Sequence, residues 1–281
     1  RPQTVVLNNL EYDHADIYSD IDAILWQFHQ LMRTVPGNGR VISNSSDANL
    51  QRVLEMGCWT PVETFATGQD ADWTANFADA VERRIAMHGP GGQSAETRWR
   101  IGGIYNLENA LAAVAAAASA GVSLEQAVDA MSRFDGVKRR MERTATVGDI
   151  AIFDDFAHHP TAIRKTIASA RHRYPGHRIV VAIEPRSNTM KLGAHNATIA
   201  ESLQGADLVW LYRPKDMPDE FAAALSALGK KIRVFSDYDQ LVVDMSTHIS
   251  SGDQVIFMSN GGFGSARQTL TAMLQRTRGS A

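Results

Sequence analysis

The sequence predicts an α/β protein with a mostly parallel sheet in its second half, and three observations carry that reading. Short runs rich in Val and Ile alternate there with helix-period segments, which implies parallel strands joined by right-handed crossovers. The first half mixes strand-like runs with helices that carry an apolar face. The length of 281 residues is a soft prior for two domains, and 44% hydrophobic residues suffice for two cores.

Taken in order, TVVLNNL (4–10) reads as a strand and IDAILWQFHQLMRTV (21–35) as an amphipathic helix. GRVISN is a second strand and ANLQRVLEMG a second helix. VETFAT and ETRWRIGG read as further strands, with HGPGGQSAE (88–96) between them as a turn or hairpin loop. IYNLENALAAVAAAASAG and SLEQAVDAMSRF are consecutive helices, and Ser123 with Gln126 three residues on forms a capping box for the second. FDGVKRRMER is a short basic connector, so the boundary is expected between a domain at 1–137 and a second at 138–281. In that second domain the strands are AIFDDF (151–156), RIVVAIEP (178–185), ADLVWLY (206–212), KIRVFS (231–236) and DQVIFMSN (253–260). Helices follow each of them, from PTAIRKTIASARHRY to a closing segment through 269–274.

Composition excludes several functions. The 28 basic and 31 acidic residues leave a net charge of −3, which argues against a nucleic-acid surface. The single cysteine, Cys58, forbids an internal disulfide and fits a reducing compartment, so a cytoplasmic location is expected. The most apolar run, ALAAVAAAASAGV, is too short and alanine-rich for a membrane span. The chain opens on RPQTVVLNNL, without methionine and without a signal segment, so a fragment or processed chain is expected.

Six stretches carry chemistry. FDDFAHHPTAI (153–163) sits where a strand ends and a helix begins, the edge at which open parallel sheets bind ligands. Pro160 suits the first helical turn, whose free N–H groups favour an anion. Asp155 can accept two hydroxyl donors of a ribose, and His158 or His159 can donate near a phosphate; a helix cap with solvated histidines is the competing reading. In NNLEYDHADIY (8–18), Asp13, His14 and Asp16 follow a strand. His14 can bind a divalent metal with Asp16 orienting it, or the group can cap a helix. Asn106 and Asn109 lie three apart on one helix face, placed either to read an adenine edge or to cap. Lys138, Arg139 and Arg140 in GVKRRME can reach a terminal phosphate or form a solvated charge run. Arg186 in EPRSNTMK can clamp a carboxylate. Gly261, Gly262 and Gly264 in SNGGFGSARQ let a backbone turn approach a ligand, or simply make a turn. The three stretches at strand ends of the second domain predict one cleft.

In combination, NNLEYDHADIY, IYNLENALAA, GVKRRME and DDFAHHPTAI resemble the signatures of the bacterial Mur ligases, ATP-dependent enzymes that join amino acids or peptides to UDP-N-acetylmuramate. EPRSNTMK and MSNGGFG are similar to the branch that adds a preformed tripeptide in cell-wall recycling. The resemblance implies a Rossmann-like C-terminal domain, with a mostly parallel sheet and flanking helices, preceded by part of a central α/β ATPase domain. No glycine-rich loop ending in Lys-Thr or Lys-Ser occurs in these residues. The chain is therefore expected to be the latter part of the central domain plus the C-terminal domain, and to be inactive by itself. The implied cofactors are ATP and Mg2+. The implied partners are UDP-N-acetylmuramate and L-alanyl-γ-D-glutamyl-meso-diaminopimelate, with no nucleic acid and no membrane.

By resemblance, His14 matches a magnesium-binding, catalytic histidine, and Asn106 and Asn109 match residues near the adenine, with Tyr105 where the family usually has histidine. Arg140 matches the catalytic arginine that reaches the phosphates, Asp155 the ribose aspartate and His158 a neighbouring nucleotide contact. Arg186, Asn188, Asn260 and Gly261 would face the peptide. The helix offers Gln27, Phe28 and His29 where some relatives carry a carbamylated lysine, so that modification is not expected. The alternatives are another member such as UDP-N-acetylmuramate–L-alanine ligase, a non-catalytic nucleotide-binding module, or a metal-dependent hydrolase built on the histidine clusters.

Overall fold

The computed structural model describes residues 1–79 and 83–278. The chain divides into two compact units, Arg1–Asp135 and Gly136–Ala281, with the division two residues before the expected boundary.

The first unit is a six-stranded sheet in the order β1-β2-β3-β4-β5-β6. Its strands are β1 (Thr4–Leu7), β2 (Arg40–Asn44), β3 (Val62–Ala66), β4 (Trp73–Asp79), β5 (Arg84–Gly89) and β6 (Gln93–Arg98). The first four run parallel, and β4, β5 and β6 form an antiparallel meander closed by a 3-10 turn at Pro90–Gly92. Successive side chains of a strand point to opposite faces. Thus Val41 joins a core with α1 (Ile21–Met32) and α2 (Ala48–Glu55), through Leu25, Met32, Leu50 and Val53. Its neighbour Ile42 joins the opposite core with α3 (Ile104–Ser119) and α4 (Leu124–Met131), through Leu107, Leu111, Val114 and Val128. Asp20 caps α1 by accepting from Ala23 N at 2.9 Å, and Ser123 with Gln126 forms the expected capping box.

The second unit holds β7 (Glu142–Val147), β8 (Ile150–Asp155), β9 (Ile179–Glu184), β10 (Leu208–Tyr212), β11 (Ile232–Phe235) and β12 (Gln254–Ser259). The sheet order is β11-β10-β9-β12-β8-β7, parallel throughout except for β7. Strands β8, β9 and β12 are buried along their whole length because helices cover both faces. Phe153, Val181, Ile256 and Met258 pack on α5 (Pro160–Arg173), α7 (Asn196–Leu203) and α8 (Asp219–Ala224), while a short α6 (Asn188–Lys191) precedes α7. Ile152, Val180, Val255 and Phe257 pack on α9 (Tyr238–His248) and α10 (Ala266–Arg278). Trp210, fully buried on β10, donates to Asp244 on α9 at 2.8 Å and fixes that helix against the sheet.

Several elements differ from the sequence reading for physical reasons. WTANFAD and RIAMHG form β4 and β5. Their cross-strand pairing is antiparallel and one face stays polar, so no continuous apolar run marks them. The basic connector is not a free linker. From Arg139 onward it folds onto the second unit, and Glu142 begins β7.

Phe257 is 1% exposed on the central strand β12. Phe257→Ala is expected to remove about 3–5 kcal/mol from the unfolding free energy of the second unit, measured by denaturant titration.

Candidate functional site

The carboxyl ends of β8, β9 and β12 lie side by side, because β12 pairs with both of the others. The stretches around Asp155, Arg186 and Gly261 meet there. At the end of β8, Asp154 and Asp155 point to opposite faces, as adjacent strand residues must. Asp154 is bridged by Arg267 at 2.6 Å and faces Arg139 at 3.5 Å. The Arg139 guanidinium donates to the Ser259 carbonyl at 2.6 Å and also to the Gly261 carbonyl. Arg139 adopts φ +58°, a left-handed conformation that a non-glycine residue takes only when its surroundings hold it. Here Glu142 accepts from its N–H at 2.9 Å, and its own carbonyl accepts from Phe156 N at 2.8 Å.

Asp155 differs from its sequence reading. It is not an open carboxylate: it is 1% exposed and accepts from Ala157 N at 2.8 Å, Met141 N at 2.8 Å and Thr166 Oγ1 at 3.4 Å. It therefore ties the strand-to-helix turn to residue 141. Burial pushes its carboxyl above the ordinary value, and the bonds from Ala157 and Met141, the Arg140 charge and the Thr166 hydroxyl only partly oppose that.

Arg140, in contrast, is exposed, and its guanidinium lies 5.4 Å from the centroid of the Phe156 ring. The histidines take separate tasks. His159 is the N-cap of α5, accepting from Thr161 N at 3.3 Å, with Pro160 in the first turn. His158 Nδ1 lies 2.9 Å from the Phe156 carbonyl, and its ring meets the Phe156 ring edge-on.

At the end of β9, Glu184 is 1% exposed, and Arg186 two residues on is exposed. Arg186 crosses directly over Gly261: a Cβ there would lie 2.5 Å from Arg186 Cδ and 2.6 Å from its Nη1. Glycine at 261 is therefore a condition for this position of Arg186. Asn188 is exposed at the start of α6, whose N-cap Ser187 accepts from Met190 N at 3.2 Å. Asn260 Oδ1 is buried without a hydrogen-bond partner among the described residues.

In the first unit the loops after β1, β2 and β3 are knitted together by amides and carboxylates. Asp47 caps α2 and also accepts from Leu10 N at 2.8 Å, and Asn44 donates to the Asn8 carbonyl at 3.0 Å. On α3, Asn109 is exposed and its Oδ1 accepts from Asn8 Nδ2 at 3.4 Å. Asn106 donates to the Gly102 carbonyl at 2.8 Å, which holds the entry to the helix. Glu108 accepts from Thr67 at 3.4 Å.

His14 is exposed with φ +55°, and its N–H donates to the side chain of Asp13 at 2.7 Å. Among the described residues no three His, Cys, Asp or Glu side chains converge where a metal ion could sit. Mg2+ prefers oxygen ligands in near-octahedral geometry, and one imidazole does not meet that demand. These residues alone therefore do not build a magnesium site, and the histidine clusters give no zinc-type site either.

Sequence reasoning picked out Arg140, Arg186 and the glycine turn, but it missed Glu184, Tyr238 and Arg267 as parts of the same edge. An acidic residue closing an otherwise apolar strand, as in IVVAIE, is the one signal that pointed to Glu184. Tyr238 lies far away in sequence and carries no local signal.

Residues 1–117 match the model of the Mur ligase middle domain, and residues 139–261 match that of the Mur ligase, glutamate ligase domain. The chain belongs to the Mur ligase family. It is 40% identical over 272 residues to UDP-N-acetylmuramate–L-alanyl-γ-D-glutamyl-meso-2,6-diaminoheptandioate ligase of Escherichia coli (strain K12), covering 96% of this chain and 59% of that Mur ligase. Among solved structures it resembles a murein peptide ligase from Psychrobacter arcticus, with a TM-score of 0.74 and 37% identity over 98% of this chain and 58% of the other. A Mur ligase of Thermotoga maritima solved with ADP shares the fold, with a TM-score of 0.76 at 17% identity over 98% of this chain and 63% of the other. The chain thus spans about three-fifths of the length of the Escherichia coli and Psychrobacter relatives.

The raised carboxyl of Asp155 fixes the sign of a pH effect in this Mur ligase. A group whose folded pKa lies above its unfolded value of 3.8 stabilises fully below 3.8, and that contribution is lost as pH rises through the folded value. The difference in unfolding free energy, wild type minus Asp155→Asn, is therefore expected to fall as pH rises above 3.8, as measured by denaturant titration across pH.

Proposed function

We propose that these residues form the middle and C-terminal parts of an ATP-dependent amide ligase that joins L-alanyl-γ-D-glutamyl-meso-diaminopimelate to UDP-N-acetylmuramate in the cytoplasm. The observation that carries the reading is the edge of the second unit. An exposed arginine at 140, an exposed arginine at 186 and a glycine turn stand there in a chain 40% identical to a tripeptide ligase over 96% of its length.

A carboxylate oxygen of the sugar's lactyl group attacks the γ-phosphorus of ATP, and ADP leaves, giving an acyl phosphate. The peptide amine, in its neutral form, attacks the acyl carbon and gives up one proton to the departing phosphate. The amide bond forms, the C–O bond to phosphate breaks and inorganic phosphate departs. Such transfers need charge neutralisation and positioning more than covalent help from the protein.

Arg140 offers forked donors to the phosphate oxygens, with Phe156 supporting its guanidinium. His158 sits beside the same ring and supports a nucleotide contact. Asn106 and Asn109 lie on one face of α3, where their amides would meet the adenine, and Asn109 is the more exposed of the two. Asp155 retains a ribose role only through Oδ2, which accepts from Met141 N. Arg186, Asn188, Asn260 and Gly261 would receive the acceptor peptide, with Arg186 on a carboxylate. His14 would supply one ligand toward magnesium, with the remaining ligands coming from outside these residues.

Ligation assayed in the full natural chain, as phosphate release dependent on both UDP-sugar and tripeptide, tests the reading. Arg140→Ala is expected to lower kcat about 10²–10³-fold. Normal turnover by that variant would remove Arg140 from the mechanism, and turnover without the tripeptide would overturn the ligase assignment.

A further inference from the structure

The glycine turn at 260–264 is held from beneath by one buried acid. Glu184 Oε2 accepts from Ser259 Oγ at 2.6 Å and from Phe263 N at 3.1 Å, and Oε1 accepts from Tyr238 Oη. Arg186 Nε stands 4.0 Å from the same Oε1. Ser259 Oγ in turn accepts from Gly261 N at 2.9 Å, so a single chain of bonds runs from Glu184 to the residue that Arg186 covers. Phe263 holds φ +53° and Gly264 φ +54°. A phenylalanine keeps such a backbone only when it is pinned. Here the pins are the Glu184 oxygen on its N–H and the packing of its ring against Phe257 and Tyr238.

The donors are themselves fixed. The Tyr238 ring stacks on Tyr212 at 3.9 Å and packs against Gly264, where a Cβ would approach it to 3.1 Å. Burial, and then the Glu184 carboxylate, hold the Tyr238 phenol well above its usual range, so it stays a donor. A fully buried carboxylate with three donors and an arginine at its rim does more than close a strand. It fixes the turn and sets a negative charge behind the guanidinium.

We propose that Glu184 is a positioning residue for the acceptor: it orders the 260–264 turn and holds Arg186 over Gly261, so that the guanidinium is ready for a carboxylate of the incoming peptide. Only the identity of the acceptor rests on the ligase reading above.

Two variants separate the parts of this role. Glu184→Gln keeps the shape and can still accept from Ser259 and Phe263, while its amide donates to Tyr238, so the turn survives but the charge behind Arg186 is gone. Glu184→Leu removes the acceptors as well. In the full natural chain, Glu184→Gln is expected to raise KM for the tripeptide roughly tenfold, with KM for ATP unchanged. Hydrogen exchange at the Phe263 amide should stay slow in Glu184→Gln and become fast in Glu184→Leu. If Glu184→Leu does not fold, Ser259→Ala replaces it, and the Gly261 amide should then exchange faster. A purely structural residue would lower the thermal midpoint and the active fraction without moving KM. The proposal is overturned by an unchanged tripeptide KM in Glu184→Gln, or by unchanged exchange at Phe263 and Gly261. If the wild type ligates nothing, the ligase reading falls, and the exchange measurements still decide whether Glu184 holds the turn.

Discussion

Arg139 is the contact on which the edge of the second unit depends. A guanidinium has five N–H donors in a rigid fork and no acceptor. This one spends its donors on the carbonyls of Ser259 and Gly261 while facing the carboxylate of Asp154. Those carbonyls belong to the last residue of β12 and to the turn that follows it, where the ladder runs out of partners. By donating to them, Arg139 lets the chain reverse there with both of these backbone carbonyls satisfied. The left-handed backbone at Arg139 directs its side chain inward, while that of Arg140 remains exposed over Phe156.

Two acids and two arginines divide the work around that point. Asp154 neutralises Arg139 and Arg267, and Asp155 receives backbone N–H groups, including that of Met141. Met141 has φ +50°, so the segment from 139 to 141 is bent twice and pinned twice. Strain of order 1–3 kcal/mol at each such residue persists only where neighbours over-determine it. The outcome is that Arg140 is offered to solvent from a rigid base. An arginine on a floppy connector would lose more side-chain freedom on meeting an anion.

Much of this was legible in the sequence. The parallel strands β8, β9 and β12 announce themselves as apolar runs because helices bury both of their faces. The antiparallel strands do not. ERTATV in β7 shows exposed, small and polar residues and reads as part of a charged connector, and β4 and β5 share that mixed character. At the site, local pattern found the residues that face outward, such as Arg140, Arg186 and Asn109. It left the burial of Asp155 unseen, because a carboxylate at a strand end looks the same in sequence whether it faces a ligand or a backbone N–H. It passed over Glu184 and Tyr238, whose meeting depends on α9 following β11 beside β10 and β9, a tertiary fact that no window of residues contains.

The strand order has a consequence for behaviour at high concentration. The sheet of the second unit ends on one side in a very short strand, β11, of four residues. β11 carries Arg233, paired to Asp244 on α9, and follows directly on Lys230 and Lys231. On its opposite side, β7 is the run ERTATV, which opens on the charged pair Glu142 and Arg143. An extended segment from another molecule finds few unpaired N–H and C=O groups in a row, and charges beside them. The sheet of the second unit therefore resists growing by edge-to-edge addition, so it is a poor seed for fibrous growth when the protein is concentrated.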